Sequence, residues 1–189
     1  TPLPKAAVVE AALSAATALL IDACVAPPGS LRVVEQARDR GVPVVLDAER
    51  DPTPIVRALV AAADHLVIPL SFGTMLTGAS DPADIAQELW NDDRAVIVLT
   101  DGTRGAFAFD APGTSVHVPS FAVTAVDTTG CGDAFHAAYA WSLPSDVGLA
   151  DRVSIASAAA AVIAALPAGA QRVAMREAIA TFVPGVDLG

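Results

Sequence analysis

Along the first hundred residues, short apolar runs alternate with segments of helical periodicity. The runs Ala18-Leu19-Leu20-Ile21-Asp22, Val42-Pro43-Val44-Val45-Leu46-Asp47, His65-Leu66-Val67-Ile68-Pro69 and Ala95-Val96-Ile97-Val98-Leu99-Thr100 are too short for ordinary helices. They are also too uniformly apolar to be half-exposed, so they predict strands buried on both faces. Helices are predicted between them, over residues 5–17, 30–40, 52–63, 71–77 and 82–91. Ser30, after the Pro27-Pro28-Gly29 break, has the position of an N-cap, Gly41 a stop, and Ser80 or Asp81 a further cap. Strand and helix in alternation predict an α/β fold with a mostly parallel, layered sheet.

The pattern changes after Gly105. Ala106-Phe107-Ala108-Phe109 and Ser115-Val116-His117-Val118 flank Asp110-Ala111-Pro112-Gly113, a hairpin signal. Helices are then predicted over 131–143, 148–165 and 171–182. No repeat or linker interrupts the chain, and residues 1–189 are expected to form a single α/β domain. Ligands of open α/β sheets bind beyond the carboxyl ends of the strands. Asp22, Asp47, Thr100 and the turn at 130–133 all fall at such ends or at a helix start, which predicts one shared site.

Composition narrows the chemistry. The chain is 53% hydrophobic and 17% charged, and 189 residues suffice to bury a sizeable core. A net charge of −10 argues against a nucleic-acid backbone as partner. It leaves nucleotides open, since amides and metal ions neutralise phosphates locally. Lys5 is the only lysine, which removes Walker-type and Schiff-base readings. Two cysteines, Cys24 and Cys131, are too few for a disulfide scaffold, and a reducing cytoplasm is expected. No apolar run has the length of a membrane span, so no membrane partner is expected. The start, Thr1-Pro2-Leu3-Pro4, lacks both a signal-peptide form and an initiator Met, so the gene is expected to begin upstream.

The most informative stretch is Val126-Asp127-Thr128-Thr129-Gly130-Cys131-Gly132-Asp133-Ala134-Phe135-His136-Ala137-Ala138-Tyr139-Ala140. Small turn-forming residues end in an aspartate where an apolar helix begins. The N–H groups of residues 130–133 should therefore project from a helix N-terminus, where the dipole and unpaired amides hold an oxyanion. A carboxylate beside an anion hole repels the anion unless it serves the attacking group. Phosphoryl transfer to a hydroxyl needs that pairing.

Other readings compete. The turn can be a plain helix cap, and a dinucleotide fingerprint fails because Phe135 stands where a third glycine is needed. Cys131 as a thiol nucleophile with His136 or His117 lacks an acid to orient the base. The loop Leu99-Thr100-Asp101-Gly102-Thr103-Arg104-Gly105 reads as a strand-to-hairpin turn or as a second phosphate clamp. Asp47 and Glu49 at a strand mouth suit Mg²⁺ held through water, or a solvated loop. His65, His117 and His136 show no metal-ligand spacing and read as structural or surface residues. Trp90 and Trp141 read as core.

These residues resemble the ribokinase-like (PfkB-type) carbohydrate kinases. Residues 126–140 are similar to that family's C-terminal signature, Asp-Thr-x-Gly-Ala-Gly-Asp, and residues 98–105 to its Val-Thr-x-Gly-x-x-Gly segment. The resemblance implies a three-layer αβα, Rossmann-like, mostly parallel sheet and an ATP-dependent phosphotransferase acting on a sugar hydroxyl. It makes Asp133 the general base that meets the substrate, and the amides of Gly130, Cys131, Gly132 and Asp133 the anion hole. Thr100, Gly102 and Gly105 would touch ATP phosphates, and Ser157 would lie beside the adenine. Asp127 and Thr129 match a K⁺ site of some members. The family's Asn-x-x-Glu motif should fall at Pro69-Leu70-Ser71-Phe72 and is missing. Ketohexokinase-like branches share that lack, and their acidic pair resembles Asp47 and Glu49, which would hold Mg²⁺. Cys131 and Ala137 replace the usual Ala and Gly. The family's N-terminal third, with its sugar-binding glycines and lid, has no counterpart, and Asn91 is the only asparagine. The chain thus resembles the C-terminal two-thirds of a sugar kinase, of a family whose dimers often form through the lid. The competing class is a non-catalytic nucleotide-binding or assembly module of the same fold.

Overall fold

The computed structural model describes residues 5–167, 175–186 and 188. The chain divides into two compact units, the first spanning Thr1–Thr100 with Phe109–Ser115, the second Asp101–Ala108 with Val116–Gly189.

The first unit carries four parallel strands, β1 (Leu19–Asp22), β2 (Val44–Asp47), β3 (His65–Pro69) and β4 (Val96–Thr100). In β2 to β4 the residues Val44, Val45, Leu46, Leu66, Val67, Ile68, Ile97, Val98 and Leu99 are fully buried. Burial on both faces is why these runs show no alternation. β1, which ends the strand order, alternates instead, and Leu20 is exposed. The register pairs Asp22 with Asp47 and Pro69 with Thr100, so these residues share the carboxyl edge of the sheet.

Five helices accompany these strands: α1 (Ala6–Ala15), α2 (Ser30–Arg38), α3 (Pro54–Ala62), α4 (Leu70–Thr77) and α5 (Pro82–Leu89). Thr53 and Asp81 cap α3 and α5 by accepting from the amides of Val56 and Ala83, each followed by a proline at the first helical position. The cap expected from Ser30 is not formed. Gly29, at φ 97°, is the N-cap, and the Ser30 hydroxyl donates to the Pro27 carbonyl at 2.8 Å. At the amino edge, Arg94 is 5% exposed and donates to the carbonyls of Val60, Ala63 and Leu89. It thereby ties together the ends of α3 and α5. Burial pushes its guanidinium down to about 10.

The second unit holds residues Ala106 to Ala108 of β5 (Ala106–Phe109), which pair antiparallel with β6 (Val116–Val118). Three helices follow: α6 (Cys131–Trp141), α7 (Leu149–Ala164) and α8 (Met175–Phe182). The expected helix start at residues 171–174 lies outside the described residues. Ala138, Ile155, Ala158, Ala159, Ile179, Val183 and Leu188 form the core of this unit. The small alanines let α6 and α7 pack closely over this core. Trp141, expected in the core, is 45% exposed at the end of α6. Among the described residues no helix is long and apolar enough to cross a membrane.

Candidate phosphate-binding turn

The turn before α6 is assembled from short-range polar chemistry. Asp127 Oδ1 accepts from the Thr129 amide at 2.9 Å, an Asx turn. The N–H groups of Val126 and Asp127 donate to the Ala164 carbonyl at 2.7 and 3.3 Å, which anchors the turn to the last residue of α7. Gly130 is the N-cap at φ 78°, a left-handed conformation that glycine adopts without cost, and no side chain caps the helix. The first-turn donors are therefore left to another partner.

Four open amides were expected, and the structure narrows the set. The Cys131 N–H donates to the Thr128 carbonyl at 3.2 Å. The amides of Gly130, Gly132 and Asp133 have no partner among the described residues. A Cβ built on Gly132 would meet nothing within 4 Å, so the side of the first turn that Gly132 faces is open among the described residues. Asp133 is exposed and makes no ion pair among the described residues. Three outward amides, a positive helix end and a free carboxylate make an arrangement that can hold an oxyanion and receive a proton from a neighbouring hydroxyl. His136, read from sequence as structural or surface, is 5% exposed, and its Nδ1 lies 2.7 Å from the Gly132 carbonyl oxygen. The i,i+4 spacing was the available signal. Ser157 is 8% exposed on α7.

The 101–105 loop is built differently. The amide of Asp101 donates to Gly105 O at 2.7 Å, that of Arg104 to Asp101 O at 3.0 Å, and that of Gly105 to Gly102 O at 3.0 Å. Arg104 Nε and Nη2 donate to the Asp101 carboxylate at 2.6 and 2.7 Å. Gly105, at φ 95°, is required by packing: an added Cβ would lie 2.0 Å from the Val118 carbonyl oxygen. Its own amide is taken, so its contribution is to loop shape. Gly102 faces open space.

In the first unit, Thr100 ends β4 and Asp47 ends β2 opposite Asp22. Glu49 Oε1 lies 3.2 Å from Arg50 Nη2 and 3.8 Å from Cys24 Sγ. Burial pushes the Cys24 thiol up, against a nucleophilic role. The carboxylates of Asp47 and Glu49 are hard oxygen donors of the kind Mg²⁺ takes. Among the described residues no group of three or more His, Cys, Asp or Glu could hold a metal alone. α4 carries no acidic residue, and Phe72, where the resemblance implies a metal-holding Glu, is fully buried. A cleft of about 620 Å³, lined in part by Arg38, Asp64 and Asp93, opens at the amino ends of β2 to β4. That is the edge opposite Asp47 and Thr100. Arg38 already binds both acids, at 3.3 and 3.0 Å, and Asp64 also accepts from the Val44 amide.

The sequence profile of the pfkB family carbohydrate kinases matches residues 3–173. The chain belongs to the pfkB carbohydrate kinase family. Among curated relatives of the family, the bifunctional protein HldE of Geobacter metallireducens is 29% identical over 132 residues, 69% of this chain and 27% of that protein. Mouse ribokinase is 29% identical over 147 residues, 75% of this chain and 45% of that protein. The structure of Arabidopsis thaliana ribokinase complexed with ribose and ATP aligns at a TM-score of 0.76 and 22% identity. That alignment covers 95% of this chain and 60% of the ribokinase. The chain thus spans between about a quarter and three-fifths of the length of these relatives. The shared fold is the expected α/β class, with four parallel strands and an antiparallel hairpin.

Proposed function

We propose that this chain is the nucleotide-binding part of an ATP-dependent kinase that moves the γ-phosphate to a hydroxyl of a sugar or sugar-like substrate. The observation that carries the reading is the turn before α6, where unpartnered amides and an unpaired Asp133 occupy one helix end. Family membership and the ribose and ATP of the Arabidopsis relative support it. A neighbour from E. coli was solved with ATP and Mg²⁺.

In this mechanism the amides of Gly130, Gly132 and Asp133 take up charge on the oxygens of the transferred phosphoryl group, with Cys131 contributing backbone shape. Asp133 orients the acceptor hydroxyl and takes its proton as the new P–O bond forms and the bond from the γ-phosphorus to the bridging oxygen breaks, releasing ADP. A loose transition state demands mainly positioning and electrostatic stabilisation, which fixed amides supply without reorganisation. Thr100 and Gly102 bind ATP phosphates at the end of β4, Gly105 shapes that loop, and Ser157 flanks the adenine. Asp47 and Glu49 would hold Mg²⁺, which supplies charge neutralisation on the phosphates. Asp127, with the Thr129 carbonyl, would hold K⁺. Function in the cytoplasm, with no nucleic acid or membrane partner and as a homodimer of the full-length protein, belongs to the same proposal.

The test is Asp133→Asn in the full-length protein. kcat should fall by a factor of about 10² to 10⁴, as for loss of a general base, while ATP binding persists in calorimetric titration. Near-normal turnover would remove Asp133 from the mechanism. One observation favours a second reading, a non-catalytic nucleotide-binding module: the buried Phe72 stands where the family's acidic motif belongs. ATP binding without ADP release, over a panel of ketoses, aldoses and nucleosides, would select it.

A further inference from the structure

The peptide group joining Gly132 to Asp133 carries two functions on opposite sides. Its N–H is one of the three open amides of the turn, and its carbonyl oxygen is the atom against which His136 Nδ1 rests, 2.7 Å away. A carbonyl oxygen can only accept, so Nδ1 carries the proton. The ring is 5% exposed and stands edge-on to Phe135, with centroids 6.1 Å apart and planes at 70°. Its position is therefore fixed by packing.

We infer that His136 is a positioning residue for the anion hole: by binding the Gly132 carbonyl it fixes and polarises the Asp133 amide that meets the phosphoryl group. The warrant is the geometry of the peptide unit. Resonance makes the group planar, so C=O and N–H point in opposite directions and cannot turn independently. In a regular helix the carbonyl already serves the amide four residues on. A second donor on the same oxygen draws electron density from the nitrogen and strengthens the opposite N–H, by about 10–30% per bond in condensed-phase estimates. It also resists the peptide flip to which an uncapped first turn at Gly130-Cys131-Gly132 is prone, since glycine allows either orientation. Asp133 gains twice. Its amide is aimed at the anion, and its Cα, which sets where the carboxylate reaches, is held by the same plane. His136 touches neither phosphate nor acceptor in this scheme and acts only through the peptide.

The inference rests on the kinase reading, and its test separates the two. In full-length protein, His136→Leu removes the donor, whereas His136→Asn keeps an N–H at the position of Nδ1. His136→Leu should lower kcat about 10-fold, well short of the 10² to 10³ seen when an oxyanion donor is deleted, with KM for ATP within about twofold. His136→Asn should recover most of that loss. A second readout needs no turnover. In ¹⁵N-labelled protein the Asp133 amide proton should move upfield in His136→Leu and return in His136→Asn, while that of Gly130 stays put. Weaker perturbation of Asp133 by added inorganic phosphate should accompany the upfield shift. Should His136→Leu fail to fold, His136→Met serves as the donor-free variant. An unmoved Asp133 resonance overturns the inference whether or not the chain is a kinase. So does a kcat within twofold of wild type in a background where Asp133→Asn abolishes turnover.

Discussion

Two glycine-bearing loops of the second unit look alike in sequence and are opposite in physics. Between residues 101 and 105, three main-chain hydrogen bonds and a two-pronged Arg104–Asp101 pair close the loop. Gly105 is there because the Val118 carbonyl leaves no room for a side chain. Between 127 and 133 the amides of Asp127, Thr129 and Cys131 are used, those of Gly130, Gly132 and Asp133 have no partner among the described residues, and a Cβ on Gly132 would meet nothing within 4 Å. One glycine is demanded by the fold. The other faces no neighbour that a side chain would meet. The 101–105 loop closes mainly on itself, and the turn before α6 keeps three amides open among the described residues.

This contrast can be broken by substitution. Gly105→Ala should have the largest effect, because it adds left-handed strain to a 2.0 Å clash with fixed backbone. A loss of about 4 kcal/mol is expected from strain and overpacking together, read by urea denaturation. Gly132→Ala should behave oppositely. Its stability should hold or rise by about 0.5 kcal/mol, since alanine favours a helix start over glycine. Its turnover should fall about 30-fold as the methyl enters the space of the phosphoryl group; unchanged turnover would mean that the opening is not used by the substrate. Asp127→Ala removes the acceptor of the Thr129 amide. It should lower stability by about 1 kcal/mol and turnover severalfold, the two measured together by thermal unfolding and steady-state kinetics. Arg104→Ala should do least. Its guanidinium is 75% exposed, and a shift in Tm of no more than about 2 °C is expected. A larger loss there would show that the loop depends on its ion pair more than on its backbone bonds.

Much of the fold was legible because the strands of the first unit are buried on both faces. Residues such as Val44, Leu66 and Ile97 are apolar for a reason that needs only a parallel sheet between helices. Asp81 was readable as a cap because proline follows it, whereas Ser30 was misassigned because Gly29 takes the left-handed conformation that starts α2. Trp141 has the periodicity of a core residue yet ends its helix in solvent, and periodicity does not say where a helix outruns its neighbours. At the candidate site, the Gly-x-Gly-Asp spacing marked the turn. It did not show that Thr128 would claim the Cys131 amide, nor that His136 would lean back on Gly132.

The amino-acid order alone determined the family, the strand-helix alternation and the place where a helix begins with glycine and aspartate, since each depends on residues within a few positions of one another. Tertiary structure alone decided why Gly105 cannot carry a side chain and that the Ala164 carbonyl anchors the turn before α6. Those outcomes depend on the directions of single N–H and C=O groups. Direction is set by what packs behind a peptide, often from distant parts of the chain, and it leaves no mark on composition or spacing.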